Sequence, residues 1–468
     1  LHKKLNEDGS INCDFEYVTK VGFSEIVKNI YNQSRAFTAG FLMCILNIFL
    51  ELTTFTVVIF FLFILNFKIT FTVIFFSIII MATYLLIFKN RVLKLGLDRV
   101  FFEKKKYQHI YEGVKGIKDI ILFNKKKFFS NLLYKRNEQL ENVGVSHAVY
   151  SALPQLLFEF ISILIFCFIT IGLFLSNTDN QNILLLITLF GFCLIRILPS
   201  IVKVVSNYQN LIYYYPSLND IYNSLTETKL KKVIFTENPE IYEFKHNLIL
   251  KNISFNRGDN QILKNIDFEI NPGAKVGIIG ESGSGKTTFL NILMGLLHQD
   301  SGNIFCDGKE VLNKNNLNFI NLFGHVPSDT FLFEGSFFEN ISLQNKDNLQ
   351  NKESVIYDKV IKASKAAKIH DFIQKKEKKY DSECGSDGSN ISAGQKQRVA
   401  IARAIFKEPK ILVFDESTNF LDKKTENDIL SEIFNDLNNH TIIFASHNIQ
   451  ILEKFCNEIY KIEDSKII

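Results

Sequence analysis

A glycine-rich segment in the second half of the chain has the residue types that hold phosphate groups. It reads Gly280-Glu281-Ser282-Gly283-Ser284-Gly285-Lys286-Thr287-Thr288. Residues 276–279 have the pattern of a buried strand before it, and an apolar helical stretch from Phe289 follows it, which is the setting that the pattern GxxxxGK[ST] requires. The glycines let backbone N–H groups point at phosphate oxygens, and the helix N-terminus favours negative charge. We expect Lys286 to reach the β- and γ-phosphates and the Thr287 hydroxyl to bind Mg²⁺.

Two carboxylates end a second apolar strand pattern downstream. Residues 411–414 are Ile-Leu-Val-Phe, and Asp415 and Glu416 follow them directly. Phosphoryl transfer depends on positioning and charge neutralisation more than on covalent chemistry. We therefore expect Asp415 to hold Mg²⁺, directly or through water, and Glu416 to polarise the attacking water.

Between these two motifs lies a segment that identifies a family by resemblance. Residues 391–398 read Ile-Ser-Ala-Gly-Gln-Lys-Gln-Arg and resemble the LSGGQ signature of the ATP-binding cassette family. The signature residues are Ser392, Ala393, Gly394 and Gln395. Residues 419–422 resemble the family's D-loop, with Asp422 as a coupling residue, and His447, after the strand pattern 441–445, resembles its switch histidine.

The resemblance implies how ATP is bound. In this family two cassettes form a head-to-tail sandwich, and each ATP lies between one P-loop and the signature of the other cassette. Ser392 and Gly394 would then contact the γ-phosphate bound by a partner, with Glu416 and His447 as catalytic residues. Because the chain carries one cassette, the resemblance implies a second copy of itself or a paralogous half-transporter as partner.

Three positions depart from the family pattern. Ser328 stands where the family has a glutamine that contacts Mg²⁺ and the membrane domain, so the hydrolysis rate and the coupling are in question. Arg257 replaces the aromatic residue that stacks on adenine, and a guanidinium plane can also stack on a base. Ala393 replaces the first signature glycine, which is a small change.

The first half of the chain predicts membrane spans. Four segments are apolar for roughly the 20 residues that a bilayer-crossing helix needs, namely 37–66, 69–88, 155–176 and 182–206. The stretch between the second and third spans is rich in lysine, including residues 104–106 and 125–127, whereas residues 177–181 carry no lysine or arginine. The positive-inside rule therefore places the former stretch and both ends of the membrane region in the cytoplasm. The basic stretch also suggests helices that extend beyond the membrane and carry mechanical coupling.

Three ionisable residues fall inside these spans, where charge is costly and often functional. They are Glu51, Glu159 and Arg196. One interpretation is pairing or exposure to a water-filled cavity. The other is that Arg196 lines a pathway for an anionic substrate.

The patterns together predict a membrane α-helical bundle joined to an α/β P-loop NTPase cassette. We place the transmembrane domain at 1–225, a linker at 226–246 and the cassette at 247–468, with an antiparallel β portion and a helical insert near 358–373. Exporters of this family usually have six spans, so the four spans resemble the last four and the N-terminal spans are expected to be missing. The net charge of +4 is too small to argue for nucleic acid, and the cysteines form no CxxC pair.

Two short membrane fragments suggest a subgroup. Residues 152–155 with Glu159, and residues 196–200, resemble bacterial exporters that flip lipid-linked oligosaccharides or polysaccharide precursors. The resemblance implies a bacterial inner-membrane protein in contact with lipid, with an anionic glycolipid substrate that suits Arg196. Export of peptide, drug or plain lipid remains an alternative, and so does a non-hydrolysing ATP-binding regulator, which only Ser328 supports.

Overall fold

The computed structural model describes residues 15–65, 67–175, 180–230, 241–311, 317–344, 353–417, 423–436 and 440–468. The chain divides into two compact units between Lys232 and Val233. Residues 17–230 belong to a helical unit, and residues from 241 onward belong to an α/β unit.

The described part of the helical unit contains four long and three short α-helices. Its helices are α1 Phe15–Val21, α2 Phe23–Lys28, α3 Met43–Leu65, α4 Phe67–Lys115, α5 Ile117–Leu122, α6 Lys126–Leu175 and α7 Asn180–Leu230, with π-helical segments Asn29–Gln33 and Ala36–Leu42 before α3. Helices α4, α6 and α7 have 49, 50 and 51 residues. At about 1.5 Å per residue each is ~75 Å long, more than twice the roughly 30 Å hydrocarbon thickness of a bilayer. These helices continue past the predicted spans 69–88, 155–176 and 182–206, as expected for helices that extend beyond a membrane.

Two helical stretches in the described part of the chain are long and apolar enough to cross a membrane. They are Glu25–Phe61 and Lys126–Phe168. The first includes the predicted span 37–66 in large part, although residues 36–42 are π-helical rather than α-helical. The four-span arrangement stays a prediction. Helix α7 ends at Leu230, inside the stretch predicted as the linker.

The helical unit packs around small apolar clusters. Tyr84, Phe158, Ile201 and Val205 are buried together, joining α4, α6 and α7. Glu51 on α3 accepts hydrogen bonds from Ser200 Oγ and from Lys203 Nζ, both at 2.8 Å. For Glu51 the interpretation as a paired carboxylate is therefore confirmed.

The α/β unit contains two sheets. Its strands are β1 Leu248–Arg257, β2 Asn260–Ile270, β3 Lys275–Ile279, β4 Ser301–Cys306, β5 Lys309–Glu310, β6 Phe323–Val326, β7 Ile411–Asp415, β8 Thr441–Ser446, β9 Glu458–Glu463 and β10 Lys466–Ile467. Its helices are α8 Lys286–Leu293, α9 Leu317–Ile320, α10 Phe337–Ser342, α11 Glu353–Ala366, α12 His370–Gln374, α13 Ala393–Phe406, α14 Lys423–Asp436 and α15 Ile449–Phe455.

The order of strands in the larger sheet determines which loops lie next to one another. Its strand order is β10-β9-β3-β8-β7-β6, and the strands from β9 to β6 are parallel. Strands β7 and β8 are buried along their whole length, as expected for a parallel sheet covered on both faces. The segments that follow β3, β8, β7 and β6 therefore meet along one edge, which is where ligands bind in such sheets.

The smaller sheet and the helical insert match their predictions. The order β2-β1-β4-β5 is antiparallel throughout, which confirms the antiparallel β portion. Helices α11 and α12 cover most of 358–373, which confirms the helical insert. Helix α8 begins at Lys286, three residues before the apolar stretch from which its helical character was inferred.

Candidate nucleotide-binding site

The P-loop connects β3 to α8 and is built around three glycines. Gly283 and Gly285 have φ angles of 85° and 102°, in the left-handed region that favours glycine. A Cβ atom on Gly280 would lie 2.6 Å from Ser284 Oγ and 2.7 Å from the Ile462 carbonyl oxygen. The loop therefore tolerates only glycine at these positions. The Ser284 hydroxyl is buried and has no hydrogen-bond partner among the described residues, so it is available for a phosphate oxygen.

Lys286 lies at the first position of α8 with its ammonium group almost fully buried. Its Nζ donates to the carbonyl oxygens of Gly280 and Glu281, at 2.7 and 2.9 Å. It also forms an ion pair with Glu416, with 3.0 Å between Nζ and Oε1. The P-loop lysine is thus held at the end of β7 as well as inside its own loop.

Thr287 and Asp415 provide the oxygen atoms expected to bind Mg²⁺. Thr287 Oγ1 donates to Asp415 Oδ1 at 3.2 Å. Asp415 is only 3% exposed, and burial raises its pKa above the usual value, with Glu416 adding to the rise and Thr287 opposing it. A hydroxyl and a carboxylate fit a hard cation that prefers oxygen ligands, and the buried carboxylate needs a positive charge beside it.

Glu416 follows β7 in an unusual backbone conformation. Its φ is 48°, in the left-handed region, and its N–H donates to the Ala445 carbonyl oxygen of β8 at 3.0 Å. Non-glycine residues adopt this region at a cost, and such residues cluster at functional sites. The turn directs the carboxylate towards Lys286 and away from the continuing strand direction.

His447 comes directly after β8, and its side chain is exposed. Strand β8 lies between β3, which leads into the P-loop, and β7, which carries Asp415. In the register, Ser446 is opposite Ile279 and Ala445 is opposite Asp415. The topology therefore places His447 at the sheet edge shared by the P-loop and the acidic pair, as the switch-histidine assignment requires.

Ser328 follows a strand of the larger sheet, whereas Arg257 ends a strand of the smaller sheet. Arg257 is exposed at the end of β1 and pairs in register with Asn260. The adjoining strand β2 packs against the P-loop, because a Cβ on Gly285 would lie 3.1 Å from Ile262 Cγ2. Ser328 is exposed in the segment after β6, the strand beside β7.

The signature segment forms the start of α13. Ser392 is the N-cap: its Oγ accepts the Gln395 N–H at 3.3 Å, and Gln395 Oε1 accepts the Ser392 N–H at 3.0 Å. This reciprocal pair is a capping box. Ala393 and Gly394 form the first turn, whose free N–H groups can bind an anion. Asp422 lies outside the described residues, and Arg196 lies on α7 with its side chain outside the described set.

Sequence reasoning did not identify two residues close to these motifs. Ser417 follows Glu416, is fully buried, and its hydroxyl has no partner among the described residues. Asp387 binds Lys396 of α13, with 2.7 Å between Oδ1 and Nζ, and so ties the signature helix to the preceding loop. A polar residue directly after the Asp-Glu pair was a usable signal for Ser417, whereas the pairing of Asp387 depends on loop geometry.

Comparison with known proteins supports the same assignment. Residues 263–419 match the family model described as ABC transporter. The chain is 38% identical over 210 residues to "ABC transporter B family member 24, mitochondrial" from Arabidopsis thaliana, covering 45% of this chain and 30% of that protein. It is 34% identical over 253 residues to "Alpha-hemolysin translocation ATP-binding protein HlyB" from Escherichia coli O6:H1, covering 54% of this chain and 34% of that protein. The chain thus spans about a third of the length of these curated relatives.

One solved structure is similar to this chain over both the helical unit and the α/β unit. It is described as a bacterial Atm1-family ABC exporter with ATP bound, and it matches 95% of this chain and 76% of its own with a TM-score of 0.81 and 22% sequence identity. A match at 22% identity shows that the two proteins share a fold and shows nothing further. The P-loop and the acidic strand therefore belong to an ABC transporter ATPase domain, fused to a helical unit in the fold of an Atm1-family exporter.

Proposed function

We propose that the chain is one subunit of an ATP-hydrolysing exporter in which ATP and Mg²⁺ bind at the carboxyl edge of the larger sheet. The observation that carries this proposal is the convergence of four groups from two strands. Lys286 and Thr287 follow β3, Asp415 and Glu416 end β7, and the ion pair and the hydrogen bond between them are 3.0 and 3.2 Å long. Phosphoryl transfer needs such an arrangement of cation, metal ligands and base.

Each group has a separate task in this proposal. Lys286 and the P-loop N–H groups bind phosphate oxygens, and the Ser284 hydroxyl adds a donor. Mg²⁺, held by Thr287 and Asp415, would neutralise charge on the transferred phosphoryl group. Glu416 orients and polarises the attacking water, and His447 approaches the γ-phosphate from the neighbouring strand end.

A second cassette completes the site. Ser392 and Gly394 lie at the exposed start of α13, where free N–H groups favour an anion. The sequence contains one P-loop motif and one signature segment, so two cassettes arranged head to tail would give each ATP both surfaces. The partner is a second copy of the chain or a paralogous half-transporter, and closure on ATP provides the free energy that switches the membrane region.

For the substrate we propose a lipid-linked oligosaccharide or another anionic glycolipid, moved across a bacterial inner membrane. The fragments around Glu159 and Arg196 support this class, because an arginine within a span suits a pyrophosphate group. A polypeptide is the second candidate, because one relative carries a name that assigns it to translocation of alpha-hemolysin.

The proposal is tested by ATP hydrolysis of the protein in lipid vesicles, with and without lipid-linked oligosaccharide. Glu416→Gln gives the background rate. Stimulation by the glycolipid above that background supports a glycolipid exporter. Stimulation by an unfolded polypeptide, with none by glycolipid, moves the substrate to the second candidate. A rate equal to that of Glu416→Gln under all conditions overturns hydrolysis itself and favours an ATP-binding regulator.

A further inference from the structure

The ATPase domain contains a cavity on the opposite edge of the larger sheet from the nucleotide site. Its volume is about 560 Å³, and it lies between α11, the end of α13, the start of β7 and α14. Pro409 and His440, which line it, come just before β7 and β8, whereas the nucleotide site follows the carboxyl ends of these strands. The five residues of β7 separate the two sites by roughly 15 Å. We call it the α11 cavity.

The sequence of α11 explains why space is left here. Lys359, Lys362, Ala363 and Ala366 have the spacing i, i+3, i+4, i+7, which places them on one helix face. Large apolar side chains at such positions would fill the space, whereas the lysine stems and Ala366 do not. Ala366, Ile405 and Phe406 are half-buried and form the apolar floor, and Ala363, Leu412 and Ile433 also line the cavity but are buried.

The rim of the α11 cavity has an excess of positive charge. Lys359 forms an ion pair with Glu408, with 2.9 Å between Nζ and Oε2. Lys362 and Lys365 also line the cavity, are exposed, and have no ion-pair partner among the residues that the structure describes. His440 lines it as well, and burial together with nearby Lys410 lowers its pKa, so that its imidazole is neutral at pH 7. Two ammonium groups with no ion-pair partner in the described part of the chain therefore lie at the mouth of the cavity.

From this combination of floor and rim we infer that the α11 cavity binds a small anionic amphiphile, an apolar chain that ends in a carboxylate. The volume lies in the range of small-molecule sites, and the apolar floor suits a hydrocarbon chain. The carboxylate lies between Lys362 and Lys365, where ammonium groups supply charge-assisted hydrogen bonds. A neutral ligand with a chain of the same length should bind more weakly because it cannot form those hydrogen bonds. A small anion should also bind more weakly because it buries little apolar surface.

The α11 cavity and the signature segment lie at opposite ends of one helix. Ile405 and Phe406, at the C-terminal end of α13, line the cavity, and Ser392 caps the other end of the same helix.

Acetylation of individual lysines, measured on the full chain in nanodiscs, tests the inference. The protein is treated with limiting acetic anhydride in the presence of octanoate, octanol or acetate, and acetylation is quantified by peptide mass spectrometry. We expect octanoate to protect Lys362 and Lys365 saturably, with no protection by octanol or acetate. Lys378 is exposed on the same domain but lies outside the cavity, and it serves as the internal control.

Two variants complete the test. With Lys362→Glu, the octanoate concentration that half-protects Lys365 should rise by about tenfold, because one favourable charge becomes repulsive. Ala366→Phe places a large side chain in the cavity and should abolish protection by octanoate. If this variant does not fold, Lys362→Glu still tests the inference, because Lys362 is exposed. Equal protection by octanol, equal protection of Lys378, or an unchanged half-protecting concentration in Lys362→Glu overturns the inference. None of these readouts depends on ATP hydrolysis, so the proposed function is tested separately.

Discussion

Lys286 Nζ lies 3.0 Å from Glu416 Oε1, so the lysine of the P-loop and the carboxylate at the end of β7 form one ion pair. The lysine side chain is 3% exposed and the carboxylate 27%. In the proposed function both groups belong to the phosphate site, where a phosphate oxygen and the Glu416 carboxylate would compete for the same ammonium group. The pair would then link nucleotide binding to the position of the proposed base.

Glu416→Gln should lower the ATP hydrolysis rate by about 100-fold or more, because a general base contributes at least that factor. ATP binding should be retained or become tighter, because the amide competes less for Lys286. Hydrolysis and nucleotide affinity are measured on the same preparation. Glu463→Gln, which breaks the exposed pair with Lys461, is the matched control and should leave both unchanged. A wild-type rate in Glu416→Gln would contradict the role of the base.

Ser328→Gln should raise the hydrolysis rate several-fold. Ser328 follows β6, beside the strand that carries Asp415, and serine is too short to take the place of the family's glutamine at the metal. Ser328→Ala should have the same rate as the wild type. If alanine lowers the rate as strongly as Glu416→Gln does, the Ser328 hydroxyl itself acts in the site, and the interpretation of this position is wrong.

Ser392 has a structural role and a proposed ligand-binding role, and these can be separated. Ser392→Ala should cost about 1 kcal/mol of stability through the lost N-cap, and it should also weaken ATP-driven pairing of two cassettes. Ser336 caps α10 with a capping box of the same form, with Glu339 in place of a glutamine, so Ser336→Ala carries a similar helix penalty without the effect on pairing. Thermal unfolding and ATP-dependent crosslinking are measured for both. Equal pairing in the two variants would show that Ser392 only caps its helix.

Local sequence predicted which lysine, hydroxyl and carboxylate groups the fold brings together, because they lie in short motifs. The P-loop and the acidic strand each contain strand, turn and functional residue within about ten positions, and the parallel sheet brings them together. The capping box was also readable, since Ser392 and Gln395 have the S-x-x-Q spacing. By contrast, the α11 cavity joins residues from Lys359 to His440, and no local pattern reports the space between them.

Contacts between helices far apart in the chain could not be predicted from the sequence either. Glu51 was expected either to be paired or to face a cavity, and its partners, Ser200 and Lys203, follow some 150 positions later. The predicted spans do not give the lengths of α4 and α6, because hydropathy ends where their polar extensions begin, whereas the helices continue.

His325 should make the ATPase domain sensitive to acid. Burial lowers its pKa from 6.5 to about 4, and its Nε2 is buried without a partner among the described residues. The unfolded chain therefore binds a proton between pH 6.5 and 4 that the folded domain does not bind. Stability is lost as pH falls through this window, by about 3 kcal/mol in total. In His325→Gln the thermal midpoint of the domain should change less between pH 6.5 and 4 than it does in the wild type. His246→Gln, at an exposed position, should leave the pH dependence of the midpoint unchanged.

Glu51 and Lys203 should stabilise the contact between α3 and α7. Their charged atoms lie 2.8 Å apart, and Ser200 Oγ donates to the other carboxylate oxygen. Glu51→Gln leaves the Lys203 ammonium unpaired within a predicted span, where unpaired charge is unfavourable. We expect a loss of about 1 kcal/mol, the usual size of polar interactions between membrane helices, and recovery in Glu51→Gln/Lys203→Met. Glu159 accepts a hydrogen bond only from Gln155 of its own helix among the described residues, so Glu159→Gln is the matched control. Thermal unfolding in detergent reports all four proteins, and a double variant less stable than Glu51→Gln would contradict the pairing.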